Sequence, residues 1–448
     1  MYACGLTAYA RGHIGNFRTF VCLDVLRRTL KYVAGFDIHH VMNFTDVDDK
    51  TIKASSEAGV SLREYTTRFI DAFREDAAAL GIEPAEEYPR ATDEENLRAM
   101  VETIQALEAR GHTYRRDGSI YFKIDTLPDY GKLARLDHAG IQPGARVDSD
   151  QYEKQDARDF VLWKATAPDE PSWDLGVGPG RPGWHIECSA MALRLLNGPP
   201  IDIHAGGVDL VFPHHENEIA QSEGATGEPF SRFWVHVEHL LIERGDKMSK
   251  SIGNVSTVED VVSRGHRASA LRYVLISTHY RKQLRFTWGS LAQAEEALTR
   301  VMDCLARLKG VTGDGEHPVI RERVERARVA FNERLEDDLN TPGALGVLFE
   351  LVRDVNAAID AGELGGSDAE LLTQTFDTFD AVLGVIALRR AEDAAPPVPV
   401  GEIERLIEER RTARSRRDFA AADGIRDDLD ARGIVLEDSA AGTRWKRK

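Results

Sequence analysis

The sequence lacks any run of 18 or more apolar residues, and it has only four cysteines among 448 residues. The first absence predicts that no helix spans a membrane, and the N-terminal residues also lack the basic start and apolar stretch of a signal peptide. The cysteines stand at positions 4, 22, 188 and 304, too far apart for the disulfide framework of a small secreted domain. We therefore expect a cytoplasmic protein in which the cysteines are thiols or metal ligands.

An excess of positive charge is also missing. The formal net charge is −17, which argues against non-specific nucleic-acid binding by the whole surface. The charge is uneven, because residues 401–448 hold 12 Lys and Arg against 11 Asp and Glu. The last five residues, 444–448, are basic around Trp445. This end of the chain is either a solvated tail or a local phosphate-binding patch.

The order of apolar segments predicts an α/β fold. A short buried strand at the N-terminus, a helical pattern over 14–33 and a second strand over 38–44 form a βαβ unit with a parallel sheet. Strand signals resume at 201–204 and 233–236, so the turn-rich region before them is an insertion. Helical patterns dominate from residue 257, and prolines after residue 394 mark a linker. The length indicates two to four domains.

Two segments have the composition of phosphate-binding loops. Residues 13–16 (His-Ile-Gly-Asn) lie where the first strand meets its helix, the usual ligand site of a doubly wound sheet. There His13 and Asn16 could donate to phosphate oxygens, while Gly15 lets the backbone approach. Residues 247–251 (Lys-Met-Ser-Lys-Ser) place Lys247 and Lys250 among hydroxyls, as suits a loop that clamps a triphosphate. The alternatives are a helix cap and a solvated basic loop.

Four residues have the chemistry of a mixed metal site. In a helix that starts after Pro213, His214 and Glu218 lie on one face, and Cys188 and Cys4 could supply two thiolates. Zinc accepts such a set of sulfur, nitrogen and oxygen ligands. From spacing alone, two buried thiols and a polar helix start explain the same residues. His215 ranks second to His214 as the imidazole ligand.

Together these motifs resemble a known family. Residues 13–16 and 247–251 resemble the HIGH and KMSKS signatures of class I aminoacyl-tRNA synthetases, although Asn16 replaces the final His of the first motif. The segments around Cys4, residues 183–191 and residues 213–221 look like the zinc-carrying segments of cysteinyl-tRNA synthetases. The resemblance extends over nearly the whole chain.

The resemblance implies a complete set of roles. It implies cysteine, ATP with Mg²⁺ and tRNA-Cys as substrates, one Zn²⁺ per chain that selects the cysteine thiolate, and a chain that is monomeric and unattached to membranes. The implied site residues are His13, Asn16, Lys247 and Lys250 for catalysis; His13, Gly15, Asn16, Gly206, Gly207, Asp209 and Lys250 for ATP and adenylate; Trp184, His204 and Thr45 for the amino acid; and Cys4, Cys188, His214 and Glu218 for zinc.

It also implies a domain order. We predict a doubly wound, Rossmann-like catalytic domain in two halves (1–95 and 184–245) with a connective insertion (96–183). A KMSKS-loop and stem-contact region (246–310), a helical bundle (311–393), a linker (394–400) and a small anticodon-binding end (401–448) follow. Trp445 and Arg444 are candidates to contact anticodon bases.

Three other functions remain open from the sequence. An enzyme resembling mycothiol cysteine ligase would share the adenylation domain, but the RNA-binding type of C-terminal end argues against it. An inactive RNA-binding paralogue would not need the complete motif 247–251 and all four metal-ligand candidates. A general metal-dependent nucleotidyltransferase would not need the C-terminal end.

Overall fold

The computed structural model of the chain describes residues 1–135, 159–242, 255–313, 315–395, 398–439 and 442–447. These residues form two compact units, one of residues 1–257 and 275–287, the other of residues 258–274 and 288–448. The strands of the first unit are β1 Tyr2–Thr7, β2 Val41–Thr45, β3 Thr113–Arg116, β4 Ser119–Phe122, β5 Phe160–Lys164, β6 Arg181–Pro182, β7 Ile201–Gly207, β8 Ser231–Val237, β9 Leu240–Leu241 and β10 Leu284–Arg285. Its helices are α1 Ile14–Arg28, α2 Asp49–Ala58, α3 Leu62–Ala79, α4 Glu94–Ala109, α5 Trp184–Leu195 and α6 Glu216–Thr226.

The central sheet has four parallel strands in the order β2-β1-β7-β8. The connection through α1 leads outward from β1 to β2, and the connection through α6 leads outward from β7 to β8. The sheet is therefore doubly wound, as the sequence predicted, and its topological switch point lies between β1 and β7. Cys4 lies inside β1, because that strand continues to Thr7.

A capping box fixes the start of α1. The Asn16 backbone N–H donates to Nδ1 of His13 at 3.2 Å, and the His13 backbone N–H donates to Oδ1 of Asn16 at 3.0 Å. These two bonds satisfy backbone donors that a helix start otherwise leaves without partners. The predicted helix over 14–33 ends its regular part at Arg28 and continues as a π-turn, Thr29–Val33.

The region between β2 and β7 contains an antiparallel sheet, β3-β4-β5-β6. Helix α4 precedes that sheet and packs against α5 and α6. Its buried side chains Leu97, Met100 and Ile104 belong to the same apolar cluster as Cys4 and Cys188. This packing connects the inserted region to the helices that carry the metal-ligand candidates.

The second unit is mainly helical. Its elements are α7 Val258–Ser263, α8 Ala268–Ile276, α9 Trp288–Lys309, α10 Pro318–Glu336, α11 Thr341–Asp360, α12 Gly366–Leu383, α13 Ile386–Ala394, α14 Val400–Ser415, α15 Phe419–Ala431, β11 Ile434–Ser439 and β12 Gly442–Arg447. A small core of Val398, Ile403, Leu429, Ile434 and Leu436 joins the last two helices to the hairpin. Trp445 pairs with Leu436 across the hairpin and packs on this core, whereas Arg444 is exposed.

No single described helix is both long and apolar enough to cross a membrane. Among the described residues, only α12 and α13 together have the length and apolar composition of a membrane span, and they are bent by 99° relative to each other.

We predict that Gly5→Ala destabilises the first unit. The register of β1 and β2 shifts at this position, and a Cβ on Gly5 would lie 1.7 Å from the Asn43 carbonyl oxygen. Because that oxygen belongs to the backbone, no side-chain rotation relieves the overlap. We expect the free energy of unfolding, from urea titration followed by circular dichroism, to fall by about 1–3 kcal/mol.

The matched control is Gly346→Ala in α11, where an added Cβ meets no atom within 4 Å. Its helical propensity should stabilise the protein by up to about 1 kcal/mol. An unfolding midpoint for Gly5→Ala equal to that of the wild type would contradict the steric argument.

Candidate active site and metal centre

Four of the predicted site residues converge below the switch point of the sheet. Cys4 comes from β1 and Cys188 from α5. His214 comes from the turn before α6, and Glu218 comes from the first turn of α6. One ligand atom from each residue lies within 4.8 Å of the others, and all four side chains are buried. The structure therefore brings together thiols that are 184 residues apart in the sequence.

The spacing of these atoms fits a tetrahedral metal site. The Cys4 and Cys188 Sγ atoms are 3.7 Å apart, and Cys4 Sγ is 3.6 Å from Glu218 Oε1. With metal–sulfur bonds of about 2.3 Å and metal–oxygen bonds of about 2.1 Å, tetrahedral geometry gives about 3.8 Å and 3.6 Å for these two edges. His214 Nε2 lies 3.0 Å from Glu218 Oε1. The donor set and its geometry can hold a divalent metal ion.

A second group, Cys4, His204, His215 and Glu218, also lies within 4.8 Å. It offers one thiol instead of two, with His215 Nε2 3.5 Å from Cys4 Sγ and His215 Nδ1 held by His236 Nε2 at 2.8 Å. Thiolates neutralise a divalent ion best, so the chemistry favours the group that contains Cys188 and His214. His215 stays the second choice, in the same order that the sequence indicated.

The charges of the site compensate one another in the absence of a metal. Burial lowers the pKa of His214, but the neighbouring Glu218 and Cys188 outweigh it and raise the pKa to about 10. Burial opposes ionisation of Glu218, yet His204 and His214 hold the pKa of this carboxyl well below its usual range. The proton on His214 thus supplies the positive charge that a divalent metal ion bound by these four residues would bring instead.

Two more histidines orient the ligand candidates. His204 Nε2 lies 2.7 Å from Glu218 Oε2, so the second carboxylate oxygen is held while the first faces the cluster. His185 Nδ1 lies 2.9 Å from His214 Nδ1, which fixes the plane of that ring. Such outer partners set ligand orientation in metal sites. The sequence assigned His204 to the amino acid; the structure places it against Glu218.

A cavity of about 340 Å³ opens from the cluster along the carboxyl ends of the strands. Cys4 and Trp184 line it at one end, and His13, Gly15 and Asn16 at the start of α1 line it at another. Trp184 is 37% exposed and stacks on His214, with 4.3 Å between ring centroids. One cavity therefore adjoins both the cluster of four metal-ligand candidates (the metal cluster below) and a helix N-terminus that favours phosphate.

The capping box decides which nitrogen of His13 can donate. Nδ1 accepts the Asn16 backbone N–H, so the proton of a neutral ring resides on Nε2. The Asn16 side chain uses its oxygen in the cap and keeps both amide N–H donors. Both residues thus use one atom of the side chain to cap the helix and carry an N–H donor on another, which the sequence pattern did not reveal.

The glycines on β7 have two different roles. Gly207 and Asp209 line the cavity, as a nucleotide site requires. Gly206 is not among the cavity's lining residues in the described part of the chain, and a Cβ there would lie 3.1 Å from the His215 ring and 2.9 Å from Leu210. Gly206 is therefore needed for the packing of the histidine beside the metal cluster.

The remaining predicted residues are placed differently. Thr45 is buried, and its hydroxyl donates to Glu187 Oε2 at 2.8 Å; within the described residues it does not line the cavity. Lys247 and Lys250 lie outside the described residues.

Sequence reasoning did not single out Lys50, one of the residues that line the cavity. Lys50, in the first turn of α2, lies in the cavity wall with its ammonium 5.5 Å from the centre of the Tyr9 ring. Lys50 directly follows a run of acidic residues, and acidic residues beside a lysine are typical of a solvated turn. The sequence pattern therefore did not distinguish a cavity-lining residue from a solvated one.

Comparisons with known proteins agree with this geometry. The model of the tRNA synthetases class I (C) catalytic domain matches residues 1–296. A Mycobacterium tuberculosis methionyl-tRNA synthetase in complex with methionyl-adenylate has a similar fold, with a TM-score of 0.59, 17% identity, and coverage of 86% of this chain and 90% of that chain. The fold and the site define the catalytic unit of a class I tRNA synthetase.

Relatives and the C-terminal region specify the family. A DALR domain model matches residues 330–387, and the cysteinyl-tRNA ligase anticodon binding domain matches residues 400–445. A cysteine--tRNA ligase of Solibacter usitatus is 48% identical over 100% of this chain and 95% of the relative, and that of Koribacter versatilis is 45% identical over the same shares. The chain belongs to the cysteine--tRNA ligase family.

We predict that Cys188→Ser removes the bound metal. The substitution replaces one soft ligand by a hydroxyl that binds a divalent ion poorly. Metal content of the purified protein, measured by plasma mass spectrometry, should fall well below the wild-type stoichiometry. The control Cys22→Ala changes a buried thiol of α1 outside the cluster and should keep the wild-type content. Equal metal content in both variants would exclude Cys188 as a ligand.

Proposed function

We propose that the protein is a cysteine--tRNA ligase, which activates cysteine with ATP and transfers it to the 3′ end of tRNA-Cys. The observation that carries the proposal is the shared cavity, where Cys4 of the metal cluster and the capped start of α1 line the same space. An amino acid anchored at the cluster and a nucleotide anchored at the helix start could meet there. The full-length similarity to cysteine--tRNA ligases supports the same assignment.

Zinc fits the cluster best among common metals, because two thiolates, an imidazole and a carboxylate match its preferences. A bound Zn²⁺ that accepts the substrate sulfur as a further ligand beside these four would prefer cysteine to the hydroxyl of serine. Glu218 and His214 are held by His204 and His185, so these two ligand candidates are already oriented toward the site. Discrimination at binding would make a separate editing site unnecessary.

The chain's own residues then position the reacting groups. Trp184 covers the side-chain end of the cavity, and Gly207 and Asp209 are placed to accept the adenosine, with Asp209 receiving a ribose hydroxyl. His13, through Nε2–H, and Asn16, through its amide, donate to phosphate oxygens as charge builds during attack by the amino-acid carboxylate. Lys247 and Lys250 are proposed to hold the leaving pyrophosphate, with Mg²⁺ accompanying ATP. The roles of His204 and Thr45 in amino-acid binding, the monomeric state and the cytoplasmic location stay predictions.

The function is tested by pyrophosphate exchange and tRNA charging. Cysteine should support exchange at least about 10³-fold better than serine, since the selection acts on the sulfur itself. Acid-precipitable label should appear when radiolabelled cysteine, ATP and total tRNA are supplied. Removal of the metal with a chelator should abolish the preference, and added Zn²⁺ should restore it. Equal exchange with serine, or full selectivity in metal-free protein, would refute the zinc assignment.

Asn16→Asp separates the cap from the phosphate contact. The aspartate oxygen can still accept the His13 backbone N–H, but the amide donors are replaced by negative charge. We expect the exchange rate at saturation to fall about 100-fold, with an unchanged thermal midpoint.

Asn16→Ala is the comparison variant, because it loses both the cap and the donors. It should therefore lower the thermal midpoint as well as the rate. Exchange by Asn16→Asp at the wild-type rate would show that Asn16 only caps the helix.

A further inference from the structure

Lys50 is a cation with no evident task in adenylate formation. In the described part of the chain, it is the one side chain lining the cavity that carries a permanent positive charge. It is exposed, and among the described residues it has no ion pair within 4.0 Å. Its ammonium group lies over the face of the Tyr9 ring. An exposed cation on an aromatic face is held in place while its charge stays available.

The acids that precede Lys50 are engaged elsewhere. Asp46 accepts from the Thr92 backbone N–H at 2.9 Å and from its hydroxyl at 2.6 Å. Asp49 is paired with Lys164 at 2.8 Å and with Arg181. Both carboxylates therefore have partners other than Lys50.

Asp48 is the third acid, and it caps α2. Its carboxylate accepts a hydrogen bond from the Thr51 backbone N–H at 2.7 Å, and the Asp48 backbone N–H donates to the Thr51 hydroxyl, also at 2.7 Å. Asp48 remains near enough to interact electrostatically with Lys50. The cap and the ion pairs of Asp49 fix the first turn of α2, so the base of Lys50 is rigid while its end reaches the cavity.

The position of Lys50 in the sheet indicates which substrate it faces. Helix α2 follows β2, which lies beside β1 on the side away from β7. Of the proposed nucleotide contacts, Gly207 ends β7 and Asp209 follows it, on the opposite side of the switch point. A nucleotide seated there and an amino acid seated at Cys4 and Trp184 leave the β2 side of the cavity for the third substrate. That substrate is the 3′ end of an RNA, whose backbone is anionic.

We propose that Lys50 contacts a phosphodiester near the 3′ end of the tRNA and positions the terminal adenosine for acyl transfer. The inference rests on the proposed function. Lys50 forms no covalent bond; its ammonium donates to a phosphate oxygen and offsets its charge. The protein is acidic overall, so a single lysine that is fixed at its backbone and lies on the β2 side of the cavity favours productive orientation of the RNA end.

The test separates activation from transfer in the full-length enzyme. Pyrophosphate exchange with cysteine reports adenylate formation, and single-turnover transfer from enzyme-bound adenylate, measured against tRNA concentration, reports the second step. For Lys50→Met we expect exchange within about twofold of the wild type and a rise of about tenfold in the half-saturating tRNA concentration. The dependence of log affinity on log salt concentration should lose about one unit of slope.

Two variants provide the controls. Lys50→Arg keeps the charge and should recover most of the tRNA affinity. Lys53→Met removes an exposed lysine of the same helix that does not line the cavity, and it should behave as the wild type. The inference is overturned if Lys50→Met slows exchange as much as transfer, or if its tRNA dependence equals that of Lys53→Met. Absence of cysteine-dependent exchange in the wild type would instead refute the proposed function.

Discussion

The buried cluster of Cys4, Cys188, His214 and Glu218 is the constraint around which the first unit is organised. Ionisable groups without water destabilise a fold unless each has a partner of suitable charge. Here a thiol from β1, a thiol from α5, the imidazole of His214 before α6 and the carboxyl group of Glu218 in α6 satisfy one another. A metal ion bound there would join all three elements at once, so metal binding and folding of this region are expected to be coupled.

This arrangement gives the cavity two chemically distinct ends. The cluster end offers soft ligands under the Trp184 indole, whereas the start of α1 offers hydrogen-bond donors and the positive end of a helix dipole. Both ends lie at the switch point because β1 carries Cys4 and leads directly into His13. The connection is only a few residues long, and it fixes the distance between the place for a side chain and the place for a phosphate.

Several residues serve the site through other residues. His204 and His185 hold ligand candidates, Gly206 gives space to the His215 ring, and Asp46, Asp48 and Asp49 stabilise the segment that carries Lys50. A linear pattern marks these residues as polar or small, but it does not distinguish contact with a substrate from support of a neighbour. His204 is an example: its Nε2 lies 2.7 Å from Glu218 Oε2, and its contact with the amino acid stays a prediction.

The sequence by itself determined the parallel α/β sheet, the insertion, the helical second half and the residue types of the metal cluster. Strand and helix periodicity is local, and the family's motifs are short and chemically specific, so both can be recognised in the sequence alone. Only the tertiary structure decided that Cys4 and Cys188 lie 3.7 Å apart, that His13 and Asn16 cap each other, and that Lys50 lines the cavity. Those facts depend on strand order and helix packing, which bring together residues that are distant in the chain.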